Sequence, residues 1–350
     1  MTTVEPSPLS DITITTVGAE QLPAVVDLLI AQEVRQWARD PWLRTARSHE
    51  PVAVALTNSC EQALVALDAR GRVRGYIRPS VWQLAETSML RAFLSARNGV
   101  AQQLILHDPA DEDAQAVLAA LLAALSLWWK DQGTTGELVR WPSADSWIEP
   151  FLAAQGFRLD SVCAAHGSHV PVRRNPPPGI ITRQAWPADE EALIRLLEEE
   201  LQYHERSTPF VRSSPAVLTA FRRKLARRWA GASLEDGALL VLVAERDSEV
   251  IGMAETTLLT VLADDEPGFT PPGRYGCIDN VCVRENLRGQ GIGHLLVQAV
   301  YDAFAALHLE LDGWLLWYNP DNLQAARFWP QQSFVPLWTT YQRLHPSPDG

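Results

Sequence analysis

Short apolar runs separated by polar turns recur in both halves of the chain, with helical periodicity between them. Residues 239–245 are apolar up to a charged end, 246–249 form a polar turn, and Val250-Ile-Gly-Met-Ala-Glu255 resumes the run. That pattern predicts a strand, a turn and a second strand. Ile278-Asp-Asn-Val-Cys-Val283 predicts another strand, Arg288-Gly-Gln-Gly-Ile-Gly293 a glycine-rich turn, and the apolar-periodic segment after it a helix. Residues 116–129 are almost wholly apolar. A bilayer needs about 20 such residues, so this segment is expected to be a buried helix.

The first half repeats the second. Gly75 in Val73-Arg-Gly-Tyr-Ile corresponds to Gly252, Gly156-Phe157 to Ser333-Phe334, and residues 100–106 to residues 277–283, all at an offset of 177. Nearer the two starts, Leu28-Leu29 aligns with Leu196-Leu197 at 168, which places about nine extra residues of the second half within residues 201–215. Each half reads β-α-(α)-β-β-β-α-β-α-β, a mixed α/β fold with a mostly antiparallel twisted sheet and helices on both faces. Residues 1–172 and 180–350 are expected to be two domains of one fold. The Pro-rich stretch 173–179 would be an extended spacer between them.

A net charge of −12 without a basic stripe argues against nucleic acid as a partner. Lysine occurs only at 130 and 224. The four cysteines (60, 163, 277 and 282) have no metal-ligand spacing, and reduced buried thiols fit a cytoplasm. Cys277 and Cys282, five apart on a strand, should face opposite ways. Residues 1–17 lack the charged start and apolar core of a signal peptide, and no membrane partner is expected.

Glycines at 289, 291 and 293 bare backbone N–H groups where a helix begins, and the helix dipole is positive there, so a phosphate fits. Arg288 adds a positive charge. No Lys follows as a Walker loop requires, and the glycine spacing is the reverse of a dinucleotide fingerprint. A plain strand–helix connection is the remaining alternative.

In order and spacing these residues resemble the GNAT superfamily of acyl-CoA-dependent N-acyltransferases. Val283 and Arg288 match its Val, five residues, Arg/Gln-x-x-Gly-x-Gly signature. Asn322-Leu-Gln-Ala-Ala-Arg-Phe328-Trp329-Pro-Gln-Gln-Ser333-Phe334 is similar to its Asn-x-x-Ala-x-x-Leu-Tyr-x-x-x-Gly-Phe element. The resemblance covers roughly residues 180–345. It implies that acyl-CoA lies in a V between two splayed parallel strands. Backbone groups of Val281, Cys282 and Val283 would line the arm, with Arg288, Gly289, Gln290, Gly291, Ile292 and Gly293 at the pyrophosphate. Asn322, Phe328 and Trp329 would complete the cofactor site, with Asn322 also readable as a helix cap. At offset 177 the turn falls on Asp111-Glu-Asp-Ala-Gln-Ala116, whose carboxylates repel a pyrophosphate, so the first half should not bind CoA. With His107 and Asp108 these acids are read as a solvated helix start rather than a metal site.

The resemblance makes Asp279 the first candidate for the base that frees the amine. Strand alternation would set it on the face of Val281 and Val283. Glu255, at the end of the neighbouring strand, is second or binds a cationic substrate. The alternative for both is a surface carboxylate or a structural ion pair. Trp329 stands where the family has an acidic Tyr, and indole cannot deliver a proton. Pro330 removes a helical N–H there. Tyr341 and Tyr318 are the substitute donors. His204 is read as a surface residue. Arg222, Arg223, Lys224, Arg227 and Arg228 are read as a solvated basic row. Trp314, Trp317, Trp329 and Trp338 are expected to wall the cleft. The expectation is a cytoplasmic N-acetyltransferase, monomer or homodimer, with acetyl-CoA as cosubstrate and no metal. It would act on a small-molecule amine by direct attack. The rival is a non-catalytic acyl-CoA sensor or scaffold.

Overall fold

The computed structural model describes residues 12–43, 62–167, 177–262, 270 and 272–345. The first half contains β1 (Thr13–Thr16), α1 (Leu22–Arg39), β2 (Leu64–Leu67), β3 (Val73–Gln83), β4 (Arg97–Leu106), α2 (Ala114–Asp131), β5 (Gly136–Pro142), α3 (Glu149–Ala154) and β6 (Arg158–Gly167). The second contains β7 (Ile181–Gln184), α4 (Glu190–Ser207), α5 (Pro215–Trp229), β8 (Leu240–Arg246), β9 (Glu249–Val261), β10 (Gly273–Val283), α6 (Ile292–Ala306), β11 (Gly313–Tyr318), α7 (Leu323–Gln331) and β12 (Val335–Leu344).

The repeat holds element for element, and three pairs match to the residue. Shifted by 168, β1 and α1 become β7 and α4; shifted by 177, β6 becomes β12. The offset changes between Ser207 and Leu240. The matching stretch of the first half, residues 44–61, lies outside the described residues, as do residues 168–176, which hold most of the expected spacer.

Among the described residues, twelve strands form one sheet in the order β1-β2-β3-β4-β5-β12-β6-β11-β10-β9-β8-β7. Only β4–β5 and β10–β11 are parallel. Neither half closes its own sheet. The last strand of the second half, β12, lies against β5 of the first, and β6 of the first lies against β11 of the second. The two exchanged strands pair with each other, and the pair Val162–Thr339 is its own image at offset 177. A pseudo-twofold axis therefore passes through that pair, normal to the sheet.

On one face of the sheet, α2 and α3 cover the first half and α6 and α7 the second. α2 is buried through Leu118, Leu121, Leu125 and Trp129, and the Trp129 ring fills the space over Gly99, where a Cβ would come within 2.4 Å of it. The other face carries α1, α4 and α5. Strand exchange mixes the cores: Ala164 belongs to the core of the second half and Tyr341 to that of the first. Among the described residues no helix is long and apolar enough to cross a membrane.

Because each half lacks its last strand without the other, residues 1–172 expressed alone should not give a cooperatively folded monomer. Co-expression with residues 177–350 should restore one. Size-exclusion chromatography and thermal unfolding of the fragments, alone and together, check this.

Candidate functional site

β10 and β11 pair only from Tyr275–Gly313 to Ile278–Leu316, and beyond that they part. From Asp279 onward, among the described residues, β10 keeps only β9 as a neighbouring strand. Arg284 N–H bonds Ile251 O at 3.0 Å, so residues 282 and 284 turn their backbone groups to β9. Those of Val281 and Val283 point into the opened V. Cys282, expected along the V, instead pairs with Met253 and buries its thiol among α4 and α5. Burial pushes that thiol up.

At the end of β10 the chain makes one 3₁₀ turn and enters the glycine stretch. Gly289 and Gly291 have φ of 77° and 84°, left-handed values that favour glycine. Gly291 caps α6, and the first helical bond runs from Leu295 N–H to Gly291 O, which leaves the N–H groups of Ile292 and Gly293 outside the helical ladder. A Cβ on Gly289 would meet nothing within 4 Å, whereas one on Gly291 would lie 3.7 Å from Pro177 Cγ, so the turn is open at Gly289. Phe328 lies against Gly293 and edge-on to His294.

Arg288 does not stand free beside this turn. Its Nε donates to Val283 O (3.0 Å), its Nη2 to Glu200 Oε2 (3.1 Å), and its guanidinium lies 4.4 Å from the Tyr203 ring centroid. Glu200 also holds His204 Nε2 at 3.0 Å, and the Asn322 amide lies 3.5 Å from the same nitrogen. His204, expected on the surface, is thus wedged between α4 and the start of α7. Asn322 caps α7, its Oδ1 accepting from Gln324 and Ala325 N–H.

The strands part at a β-bulge. Ile278 faces Thr256 and Asn280 faces Glu255, so Asp279 is an extra residue without a cross-strand partner. The bulge reverses the expected alternation. Val281 and Val283 pack with α6, while Asp279 turns to the opposite face beside Glu255. By the same reversal Cys277 and Cys282 share a face. β9 continues to Val261, so Glu255 lies mid-strand.

Around Asp279 sits a compact ionic group. Thr257 Oγ1 donates to its carboxylate at 2.8 Å, and Lys224 Nζ lies 2.7 Å from Oε1 of Glu255, which is only 3% exposed. Asp279 is open to the cleft but surrounded by protein on its other sides. That burial, then the Glu255 charge, pushes its carboxyl up to about 7 against the pull of Lys224 and Thr257. Glu255 in turn raises Lys224. Of the basic row on α5, Arg222 does pair with acids on the exposed side, Glu190 and Glu191, whereas Lys224 turns inward. Sequence spacing alone did not separate the two.

The first half walls this face. Trp42 and Leu43 pack with Cys277, Leu315 and Trp338, and the segment around Ala92 packs against α4 and α5, with Arg212 N–H bonded to Ala92 O at 2.8 Å. Trp317 is exposed here, but Trp314 and Trp329 are buried on the other face, so the four tryptophans form no common wall. Trp329 stacks edge-on with Phe328 and Phe334. α7 continues through Pro330 to Gln331.

Tyr341 is not brought to the site. On β12 it pairs with Val139 and Leu159 inside the first half's core, where burial pushes its hydroxyl up to about 12. Strand exchange is the reason. Tyr318 stays at the end of β11, just past the fork, its hydroxyl also raised by burial.

In the first half the acidic segment is not simply solvated. Arg74 bonds both Asp111 and Asp113, and His107 Nε2 lies 2.8 Å from Asp113 Oδ1. His107, Asp111 and Asp113 bring three ligand atoms within 4.8 Å, and the positive charge among them is the Arg74 guanidinium.

The family model described as Acetyltransferase (GNAT) family matches residues 194–334. A GCN5-related N-acetyltransferase from Sphaerobacter thermophilus has a similar structure: 16% identity, TM-score 0.57, covering 97% of this chain and 98% of its own. A tandem GNAT protein from the clavulanic acid biosynthesis pathway, solved without AcCoA, aligns at 16% identity and TM-score 0.46, covering 96% and 100%. No curated protein matches the chain.

A carboxyl raised to about 7 stabilises the fold by holding its proton. That contribution is full below the unfolded value of about 4 and lost as pH rises through 7. Asp279→Asn lacks this dependence. Its melting temperature relative to the unmodified protein should therefore climb between pH 4 and 7 and level off above, as thermal unfolding across pH would register.

Proposed function

Since residues 194–334 match the acetyltransferase (GNAT) family model, we propose that the protein is an N-acyltransferase. It moves an acetyl group from acetyl-CoA to an amine of a small molecule, using one site in the second half. One coincidence carries this reading. The backbone edge that carries Val281 O and Val283 N–H leads from the glycine turn straight to the bulge that presents Asp279.

The N–H groups of residues 289–293 would take the pyrophosphate, and the pantetheine arm would add to the β10 edge like a short strand. A cationic amine entering from the opposite face meets Asp279 and Glu255. Lys224 pairs with Glu255, while Asp279, its carboxyl raised to about 7, is the group we assign as the base near neutral pH. Asp279 takes the ammonium proton, directly or through a water. The amine then attacks the thioester carbonyl, a backbone N–H of the splayed strand stabilises the oxyanion, and the C–S bond breaks. A thiol with a pKa of about 8.5 leaves as thiolate with only hydrogen-bond help. Tyr318 is the donor we assign to it. Trp42, Leu43 and the segment at Ala92 close in the acceptor side, which supports a small acceptor over a protein chain. The described cysteines are free and buried, which supports a reducing cytoplasm.

Trp329, turned into the core, leaves no acid at the family's usual place, and this favours the second reading, an acyl-CoA sensor. Thiol release from acetyl-CoA over an amine panel separates the two: tight binding with no turnover on any amine supports the sensor. For the enzyme, kcat/KM should fall about tenfold per pH unit below pH 7. Asp279→Asn should lower it by roughly 10²–10⁴-fold with acetyl-CoA affinity retained. Gly291→Glu should abolish acetyl-CoA binding in calorimetry; unaltered affinity would refute the site.

A further inference from the structure

The two copies of the V differ in what meets their inner edge. In the first half, the residues equivalent to Val281 and Val283 at offset 177 are Leu104 and Leu106. Their backbone groups are occupied. Gln32 Nε2 donates to Leu104 O at 3.1 Å, and Leu106 N–H donates to Gln32 Oε1 at 2.7 Å. Arg35 Nη2 donates to Leu106 O at 2.9 Å. One buried amide thus makes the bonds that an added strand would make, and the V of the first half is shut from within.

At offset 168, Gln32 corresponds to Glu200 and Arg35 to Tyr203. Helices α1 and α4 are the same element, packed on β4 and β10 respectively. Yet Glu200 meets neither Val281 O nor Val283 N–H. It is drawn aside to Arg288 and His204. Arg288, lying on Tyr203, takes over the bond to Val283 O that Arg35 makes to Leu106 O. The chemistry explains the difference. An amide can donate to a carbonyl and accept from an N–H at once, whereas a carboxylate only accepts and would repel Val281 O.

We propose that residue 200 is a positioning residue that decides whether the acyl-CoA arm can enter. As Glu, held off by Arg288 and His204, it leaves the Val281 O and Val283 N–H pair open; as Gln it would fold back and plug the V, as Gln32 does. This rests on the acyl-CoA reading of the second half. It also gives Arg288 a role distinct from charge pairing with a phosphate.

Calorimetry of the full chain with CoA tests it, using Glu200→Gln and Glu200→Ala. E200Q should weaken CoA at least tenfold, and E200A, with no group long enough to plug, by much less. If the unmodified protein does not bind CoA, the acyl-CoA reading itself fails. If it binds and E200Q matches it, or E200A loses as much as E200Q, the plug is wrong. A ligand-free readout stands apart from both affinity and variant folding. In hydrogen exchange of the unmodified protein the Leu106 amide should be protected and the Val283 amide should exchange faster. Equal protection at the two would overturn the proposal.

Discussion

The exchange of last strands about the Val162–Thr339 axis is the constraint on which the rest depends. β6 and β12 each complete the other half's sheet, so neither core is whole without the other chain half. With the halves fixed to each other in this way, Trp42 and Leu43 of the first half rest on the sheet beside the second half's fork. The same exchange takes Tyr341 away from the chemistry and puts Ala164 at the corresponding place in the second half's core. The site is then built from what remains on β9, β10 and α5.

A second constraint is the one-residue bulge at Asp279. In a regular strand the carboxylate would have no reason to leave the ladder. As the unmatched residue, it sits where the strands part and turns toward Glu255 and Lys224. The first half keeps the bulge, with Gln102 as its extra residue, but has Arg78 where Glu255 stands. The copies share a backbone device and differ in the side chains placed on it. In the first half, Arg74, Asp111 and Asp113 bind one another where the second half has bare amides.

Element order, the repeat and its two offsets were legible in the sequence because each depends on local periodicity and on glycines at forced positions. Gly156 and its counterpart Ser333 show the point: both adopt positive φ at the end of a helix, and the Phe that follows each kept the match visible. Strand neighbours were not legible, since nothing local in Thr339 or Tyr341 says which half it will pair with. The bulge escaped for a related reason: a period-two reading carries on through an inserted residue unless a glycine or proline marks it. Lys224 was hidden in a row of arginines because spacing describes a helix's faces, and only packing selects which one turns inward. His204 became visible only once α4 and α7 were side by side.

The order of the sheet has one more effect. Two separate sheets would present four free margins, whereas among the described residues the joined sheet has two, β1 and β7, each only four residues long. Exposed margins invite strands from other chains and seed aggregation, and short ones offer little for a foreign strand to grip. Fusing two copies through their last strands has thus hidden the longest potential docking edges at the centre of the molecule.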